Sequence, residues 1–372
     1  MIDRLHVVGP ARGTSGYDRH TRAFVEQFLA LGVDLGFTQL EGWSPELPPD
    51  QRPAWTEGVG ATVEAETVLH FTMPHHAQPL PGRRNVNYTM FEANGIPPDW
   101  VRRALEQDRV VLPTTACRDA WTASGVPEPH LRIAPLAVDA AHFARPAEPL
   151  ALTTADGRGI DACAVRFLNV AEPRPRKNVL ALLRVWIRAT RPDDDAVLVL
   201  KPSLFHPAAF DQFAADVQTM QRTLGRSMHD AAPVVVLPAV LSEEQMRALY
   251  AAATHYVSLS HGEGWDQPMM EAAVAGLGLV APRHTAYVEY LRDDEVEFVP
   301  TWPAPFRSEG RMGAEDELFF RGLSWWDPDE DAAVEIVRRI VDGRSEKASP
   351  GARLAAEYTW ERSARKLLAA LD

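Results

Sequence analysis

Cysteine and basic charge are both scarce in this sequence. Its two cysteines, Cys117 and Cys163, lie far apart and lack the spacing of metal ligands, so a disulfide framework is excluded and two buried thiols are the simplest interpretation. Acidic residues outnumber basic ones in both halves of the chain, and the formal net charge is -13. No basic region therefore indicates binding to nucleic acid or to an anionic membrane surface, and we expect no nucleic-acid partner.

Long apolar runs are also missing. None approaches the roughly 18 residues that a membrane-spanning helix needs, so we expect no transmembrane segment. The N-terminal sequence MIDRLHVVGPARG leads directly into a strand pattern and lacks the charged start and long apolar core of a signal peptide. These two observations predict a cytoplasmic protein.

The sequence does contain a regular alternation of short apolar runs with helical patterns. With 372 residues, of which 46% are hydrophobic, the chain is long enough for two or three domains with buried cores. Such alternation is typical of βαβ units and parallel sheets. Residues 143–159 are poor in large apolar side chains and have the composition of an interdomain linker. We therefore predict an α/β protein with two Rossmann-like, doubly wound domains, residues 1–148 and 149–353.

The segment SHGEGWDQPMMEAAVAGLGLVAP, residues 260–282, carries the clearest chemical signal. It follows a predicted strand, and Pro268 suits the first position of a helix over residues 268–275. Glu263 then lies in the loop at the carboxyl end of a strand and Glu271 in the first helical turn, where open α/β sheets bind ligands. Two carboxylates there can accept hydrogen bonds from sugar hydroxyls, and the helix N-terminus can hold a phosphate. The alternative is that Glu271 complements the helix dipole while Glu263 is solvated.

Four segments of the chain resemble one enzyme family. EGWDQPMMEA is similar to the E-x7-E motif of retaining glycosyltransferases with the GT-B fold, the group 1 or family 4-like enzymes. RPRKNVLALLRVW, from Arg174, resembles their basic diphosphate-binding segment. PLAVDAAHF, from Pro135, resembles the end of their first domain, and YTWERSARKLL resembles their last helix. The resemblance covers almost the whole chain and implies the GT-B architecture, with residues 354–372 forming a helix that returns to the first domain.

The resemblance assigns the sugar and the nucleoside of the donor to the E-x7-E segment. It implies that Glu271 binds the ribose hydroxyls and that Glu263 contacts hydroxyls of the transferred sugar. Backbone N–H groups around Gly264 and Trp265 would line the same pocket. Thr285, in the segment HTAYVEYL, is a further candidate for a donor contact.

The diphosphate of the donor would meet the basic segment. The resemblance implies that Arg176 and Lys177 neutralise it, with Arg174 as a helper. The leaving nucleoside diphosphate gains negative charge as the glycosidic bond breaks, and positioned cations stabilise that charge most in the transition state. A solvated surface position is the alternative for these cations. Gly16, in GPARGTSGYDRH, matches the family's loop beside the donor phosphates, although a glycine-rich loop of this kind can also be a plain tight turn.

The acceptor side is less legible. Many relatives place a histidine where Phe91 and Glu92 stand, and Glu92 either contacts the sugar or acceptor or serves as a helix cap or salt-bridge partner. His70, His75 and His76 lie in VLHFTMPHH, at the end of another predicted strand, and each is either structural or part of an acceptor loop.

Two positions depart from the family pattern. Asp266 replaces the second glycine of the motif and is followed by Gln267, which puts close approach of the backbone in question. Ala171 stands where many relatives have an arginine, so Arg174 or Arg176 must supply that charge.

Together these features predict a glycosyltransferase that moves a hexose or related sugar from a nucleoside diphosphate sugar to a hydroxyl of an acceptor of unknown class. Retention of configuration is implied by the resemblance alone, with Glu263, Arg176, Lys177 and Glu92 as the catalytic residues. No Asp-x-Asp pair lies in a suitable strand-end loop, so we expect no essential metal and no other cofactor. Two alternatives remain open, a non-catalytic protein that binds nucleotide sugars and a nucleotide-sugar epimerase or hydrolase on a related fold.

Overall fold

The chain folds into two compact units. The computed structural model of the protein describes residues 2–58, 64–202, 207–307, 314–345 and 347–371. The first unit comprises Met1–Ala137, Leu318–Ser324 and Tyr358–Asp372, and the second comprises Val138–Glu317 and Trp325–Glu357. The sequence suggested a division after residue 148, and in the structure the chain first passes from one unit to the other after Ala137.

Strands and helices alternate along the chain. The first unit begins with β1 (Arg4–Gly9), α1 (Gly16–Ala30), β2 (Asp34–Gln39), α2 (Trp55–Gly58), β3 (Thr67–Phe71), β4 (Arg84–Tyr88), α3 (Pro98–Leu105), β5 (Arg109–Leu112), α4 (Thr115–Ala123) and β6 (Leu131–Ile133). The chain continues with α5 (Ala140–Phe143), β7 (Val165–Val170), α6 (Val179–Ala189), β8 (Ala196–Lys201), α7 (Pro207–Leu224), β9 (Val234–Val236), α8 (Glu243–Ala252), β10 (His255–Val257), α9 (Gln267–Val274), β11 (Gly278–Pro282), α10 (Tyr287–Tyr290), β12 (Glu297–Val299), β13 (Thr301–Pro305), α11 (Ala314–Phe320), β14 (Ser324–Pro328), α12 (Glu330–Val341), α13 (Gly351–Glu357) and α14 (Trp360–Leu371). None of the described helices is both long and apolar enough to cross a membrane.

The first unit is built on a six-stranded parallel sheet in the order β2-β1-β3-β4-β5-β6. Strand β3 is buried along its whole length, because helices cover both faces of a sheet of this kind. The last helix, α14, packs against α1 and β6, and the ring of Trp360 meets that of Phe24 edge to face at 5.3 Å between centroids. The predicted return of the last helix to the first domain is therefore confirmed.

The second unit contains another six-stranded parallel sheet, in the order β12-β11-β10-β7-β8-β9. Its core is apolar and includes Phe167 of β7 and Trp186 of α6, whose rings lie 5.6 Å apart. The chain winds outward from β7 to β9, crosses back, and winds outward again from β10 to β12. The direction therefore reverses between β7 and β10, and the loops that follow these two strands flank the point at which doubly wound sheets bind ligands. The predicted fold class is confirmed.

Two helix starts in the second unit follow local signals. Ser242 and Gln245 form a capping box at the start of α8, with each side chain accepting a hydrogen bond from the other's backbone N–H. Helix α9 begins at Gln267, one residue before the predicted start, because Asp266 is its N-cap. Glu271 therefore lies in the second turn of α9, and its predicted place in the first turn was wrong.

Residues 143–159, the predicted linker, belong to the second unit. Phe143 ends α5 and packs against the ring of Tyr250 at 5.7 Å between centroids. The backbone N–H of Leu150 donates to the carbonyl of Ala248 at 2.9 Å. Most of the segment is exposed, which accounts for its scarcity of large apolar side chains.

Candidate functional site

The loop that follows β7 carries the predicted basic residues. Pro175–Lys177 form one 3-10 turn, which ends at Asn178 in the left-handed conformation with φ 52. Asparagine is one of the few non-glycine residues that tolerate this region. Its side-chain amide donates to the carbonyl of Leu259 at 3.0 Å, and the N–H of His261 donates to the carbonyl of Arg176 at 2.8 Å. These bonds fix the loop after β7 against the loop after β10, at the switch point of the sheet.

An ion-paired cluster lies where these two loops meet. Nη1 of Arg176 is 3.0 Å from Oε2 of Glu263 and 2.7 Å from the carbonyl of Gly262. Nζ of Lys177 is 2.7 Å from Oε1 of Glu263. The Glu263 side chain is only 4% exposed, whereas the two cations are 21% and 19% exposed. The structure thus brings together three residues that the sequence singled out separately.

Opposing effects act on the Glu263 carboxyl. Burial on its own would raise its pKa, since the charged form loses its hydration. The adjacent Lys177 ammonium and Arg176 guanidinium, which also donate hydrogen bonds to it, outweigh burial and hold the pKa of Glu263 below its ordinary value. Glu263 is therefore an anion at neutral pH, and it holds both cations in place.

The backbone of Glu263 is supported by Thr285, whose hydroxyl accepts a bond from the Glu263 N–H at 3.1 Å. His284 orients that hydroxyl. Nε2 of His284 lies 2.7 Å from the carbonyl of Ser260 and so carries the hydrogen, which leaves Nδ1 to accept from the Thr285 hydroxyl at 2.8 Å. Burial lowers the pKa of His284 to about 4, so this neutral tautomer persists at neutral pH. Thr285 itself adopts φ 41, a conformation that few non-glycine residues take.

The start of α9 contains a second buried carboxylate, that of Asp266, which is notable in the sequence only as a departure from the family motif. Asp266 has φ 63 and ψ 74, in the left-handed region where glycine is usual. Its Oδ2 accepts a hydrogen bond from the Tyr287 hydroxyl at 2.8 Å. The same hydroxyl lies 2.8 Å from Oγ of Ser258 and 3.2 Å from Oγ of Ser260. No pattern in the sequence indicates this network, because Tyr287 is an ordinary aromatic residue and lies far from Asp266 and Ser258 in the chain.

The other predicted donor contacts of the E-x7-E segment, Glu271, Trp265 and Gly264, are buried as well. Glu271 is fully buried, and Oε2 of its carboxylate accepts a hydrogen bond from the Tyr250 hydroxyl at 2.8 Å. Trp265 is 2% exposed, its ring packs 5.2 Å from that of Tyr290, and its carbonyl accepts from the Tyr290 hydroxyl at 2.9 Å. Gly264, directly before Trp265 in the chain, is buried too. Arg174, in contrast, is about half exposed and pairs with Glu172 at 2.9 Å.

In the first unit, the predicted glycine-rich loop holds a carboxylate of its own. Gly16 is the first residue of α1 and is exposed. Asp18, which is 1% exposed, accepts hydrogen bonds from the N–H groups of Gly13 at 2.7 Å and Ser15 at 3.2 Å, and from the hydroxyl of Ser44 at 2.8 Å. The Asp18 carboxylate therefore already uses these hydrogen-bond donors of the loop. The spacing of Ser15 and Asp18 is a capping-box signal that could have predicted the arrangement.

The acceptor-side candidates also lie in the first unit. Glu92 follows β4 and acts electrostatically on the buried Tyr17, whose pKa is raised mainly by burial. His70 is buried in β3 beside Asn85 at 3.3 Å, and burial lowers its pKa to about 4, which favours a structural role. The rings of His75 and His76 belong to an aromatic cluster of the same unit. In the described part of the chain, no group of three or more His, Cys, Asp or Glu side chains has the arrangement of a metal site.

Solved structures of other proteins match this architecture along nearly its whole length. HepE of Anabaena in complex with UDP and glucose is 10% identical with a TM-score of 0.63, over 99% of each chain. The sucrose-phosphate synthase of Thermosynechococcus elongatus is 14% identical with a TM-score of 0.64, over 99% of this chain and 100% of its own. The fold is GT-B. AviGT4, a glycosyltransferase involved in avilamycin A biosynthesis, is 17% identical with a TM-score of 0.57, over 99% of this chain and 96% of its own.

Identities this low show the fold and not the activity. No protein-family model and no curated protein matches the chain. In this GT-B fold, the ion-paired cluster of Arg176, Lys177 and Glu263 lies at the switch point of the second sheet. The Thr285 hydroxyl accepts a hydrogen bond from the backbone N–H of Glu263. Gly16 and Glu92 lie in the first unit.

Proposed function

We propose that this protein is a glycosyltransferase that moves a sugar from a nucleoside diphosphate sugar to a hydroxyl of an acceptor. One observation carries the proposal: two cations are held by one buried carboxylate at the switch point of the second sheet. That arrangement offers positive charge for a diphosphate beside an anion that can accept hydrogen bonds from a sugar. The structures of HepE in complex with UDP and glucose, and with UDP-glucose, support the same proposal.

Arg176 and Lys177 are proposed to bind the diphosphate. Both are about one-fifth exposed, so a ligand can reach them, and Glu263 already holds them in position. Cations that are fixed before the reaction stabilise the growing charge of the leaving group without having to reorganise. Arg174, which is more exposed and pairs with Glu172, is proposed as a helper.

Glu263 is proposed to accept hydrogen bonds from hydroxyls of the transferred sugar. It is ionised, and its carboxylate remains a strong acceptor while both cations pair with it. Backbone groups around Gly264 and Trp265 and the hydroxyl of Thr285 would complete the sugar pocket. The fixed orientation of the Thr285 hydroxyl towards His284 stabilises that wall of the pocket.

Glu271 is proposed to bind the ribose of the nucleotide. The Tyr250 hydroxyl holds one oxygen of its carboxylate, which fixes the orientation of the group on α9. Gly16 and Glu92 stay predictions from the family resemblance, as donor-phosphate and catalytic contacts respectively.

The proposed reaction retains the configuration of the sugar, by attack of the acceptor on the face from which the diphosphate departs. The bond between the anomeric carbon and the phosphate oxygen breaks, and a bond from that carbon to the acceptor oxygen forms. The departing phosphate oxygen takes the acceptor's proton. The chain would need no metal or other cofactor, because Arg176 and Lys177 supply the positive charge, and the reaction would take place in the cytoplasm.

Nucleotide binding tests the proposal without knowledge of the acceptor. Thermal unfolding should be measured with UDP, GDP, ADP and dTDP and with the four matching nucleosides. A ligand at 100 times its dissociation constant stabilises the native state by about 2.7 kcal/mol, which shifts the unfolding temperature measurably. We expect at least one diphosphate to stabilise the protein more than its nucleoside. Equal effects of all eight ligands would contradict a diphosphate site.

A further inference from the structure

Asp266 occupies a glycine's conformation at the edge of the proposed donor site. Its φ of 63 lies in the left-handed region, which few residues other than glycine, asparagine and aspartate adopt. The residue is 7% exposed, and its carboxylate accepts a hydrogen bond from the Tyr287 hydroxyl at 2.8 Å. The chain therefore keeps a buried carboxylate where a glycine would relieve strain and avoid the loss of hydration. A buried carboxylate at this position, beside the proposed donor site, indicates a function for Asp266.

Charged and polar groups from three parts of the second unit act on the Asp266 carboxyl. Burial has the largest effect on Asp266 and raises its pKa to about 6, and Glu263, in the same loop, also raises it. Lys177 and Arg176, in the turn after β7, lower the pKa, as does the hydrogen bond from Tyr287 on α10. Tyr256 of β10, whose own pKa is raised mainly by burial, also interacts electrostatically with Asp266.

The formal charges of four neighbouring side chains, Arg176, Lys177, Glu263 and Asp266, cancel before any donor is bound. Two cations, Arg176 and Lys177, stand against two carboxylates, Glu263 and Asp266. A diphosphate adds about two negative charges to the same buried set. With glycine at position 266 the set would carry one net positive charge instead. The ionised form of Asp266 therefore opposes diphosphate binding, since like charges in a buried site repel strongly.

The hydrogen bonds around Tyr287 can accommodate either form of Asp266. When Asp266 is ionised it can only accept, so the single Tyr287 hydroxyl proton points towards it. When Asp266 is protonated it can donate to Tyr287, and the Tyr287 proton can turn to Oγ of Ser258 at 2.8 Å. The carboxyl can therefore take up a proton while Asp266 and Tyr287 each keep a hydrogen-bond acceptor.

We propose that Asp266 is a positioning residue that couples diphosphate binding to the uptake of one proton from solvent. As the diphosphate contacts Arg176 and Lys177, a carboxyl oxygen of Asp266 binds that proton, and the strained start of α9 keeps its hydrogen bonds. Binding of the donor is then favoured at lower pH and its product is released more readily at higher pH. This inference rests on the proposed function, because it takes a diphosphate to be the ligand.

Calorimetric titration of the full-length protein with UDP at pH 7.5 tests the inference. Titrations in buffers of different ionisation enthalpy give the number of protons taken up. We expect the wild type to take up nearly one proton more than Asp266→Asn, which keeps the size of the side chain and an oxygen that can accept from Tyr287. Above pH 6, UDP affinity should fall with pH more steeply in the wild type, by up to about tenfold per pH unit. Protons that UDP itself gains or loses are common to both proteins and cancel in the difference.

Two controls separate the possible failures. Asp266→Gly relieves the backbone strain and removes the carboxyl, and it should lose proton uptake as Asp266→Asn does. Uridine, which lacks the diphosphate, should bind with no difference in proton uptake between the wild type and either variant. Equal uptake of protons with UDP in the wild type and both variants would overturn this inference and leave the proposed function intact. If UDP, GDP, ADP and dTDP all fail to bind the wild type, the proposed function is overturned and this inference with it.

Discussion

Replacing Glu263 by glutamine removes the anion that holds the two cations. The carboxylate accepts charge-assisted hydrogen bonds from Lys177 at 2.7 Å and Arg176 at 3.0 Å, and such bonds are worth about 1.5–3 kcal/mol each. Glutamine keeps one acceptor oxygen and turns an N–H2 group towards the other cation. Breaking a fully buried ion pair costs about 3–5 kcal/mol, but the cations here are about one-fifth exposed. We therefore expect Glu263→Gln to lower the free energy of unfolding by about 2–3 kcal/mol.

Glu330→Gln is the matched control for that variant. Glu330 also pairs with arginines of the second unit, Arg184 and Arg188, but its side chain is 29% exposed, compared with 4% for Glu263, so solvent screens its charge more and its loss should cost less. At about 2–4 °C per kcal/mol, the unfolding temperature should fall by roughly 4–12 °C in Glu263→Gln and far less in the control. Only Glu263→Gln should also lose sugar transfer. Equal falls in unfolding temperature, or full activity in a folded Glu263→Gln protein, would refute this reasoning.

Three further predictions follow from the same contacts. Lys177→Ala and Arg176→Ala should each weaken UDP binding more than uridine binding, because uridine lacks the diphosphate. Calorimetric titration of both ligands measures this difference. Equal losses of affinity for UDP and for uridine would mean that the residues act only through folding. Glu271→Ala should weaken UDP binding roughly 10- to 150-fold through the loss of a charged hydrogen bond, and unchanged affinity in the folded variant would exclude ribose binding. Burial lowers the pKa of His20 to about 3 and those of His70 and His284 to about 4, so the unfolded chain binds more protons below pH 6.5. Each of these histidines therefore lowers the free energy of unfolding by about 1.4 kcal/mol per pH unit as the pH falls from 6.5 towards 4. A melting temperature that stays constant over this range would contradict the lowered pKa values.

The sequence predicted the fold class because the relevant signals are local. Short apolar runs separated by helical patterns indicate parallel sheets, and the Ser242 capping box marks the start of α8 within a few residues. The proximity of Arg176, Lys177 and Glu263 could also be predicted from the sequence, because the carboxyl ends of neighbouring parallel strands meet at one edge of a sheet. Neither the pairing of both cations with one carboxylate nor its burial was visible from spacing.

Other features depend on contacts between residues distant in the chain. The bond between Asp266 and Tyr287 joins different elements, and no sequence pattern links the two side chains. The hydrogen bond between Tyr250 of α8 and Glu271 of α9 also joins two different helices. Pro268 is typical of the first helical position, but α9 begins one residue earlier, at Gln267, because Asp266 in the left-handed conformation is its N-cap.

The most direct test of the proposed function follows the sugar itself. The protein should be incubated with 13C-glucose-labelled UDP, GDP, ADP and dTDP donors and a panel of sugar, polyol and phenol acceptors, and the anomeric carbon followed by NMR. We predict a new glycoside with the anomeric configuration of the donor, formed roughly 100-fold more slowly by Lys177→Ala, as when one charge-stabilising donor is removed from an active site. Label that returns as an epimeric nucleotide sugar, appears only as free sugar, or stays in a bound but uncleaved donor would contradict a glycosyltransferase.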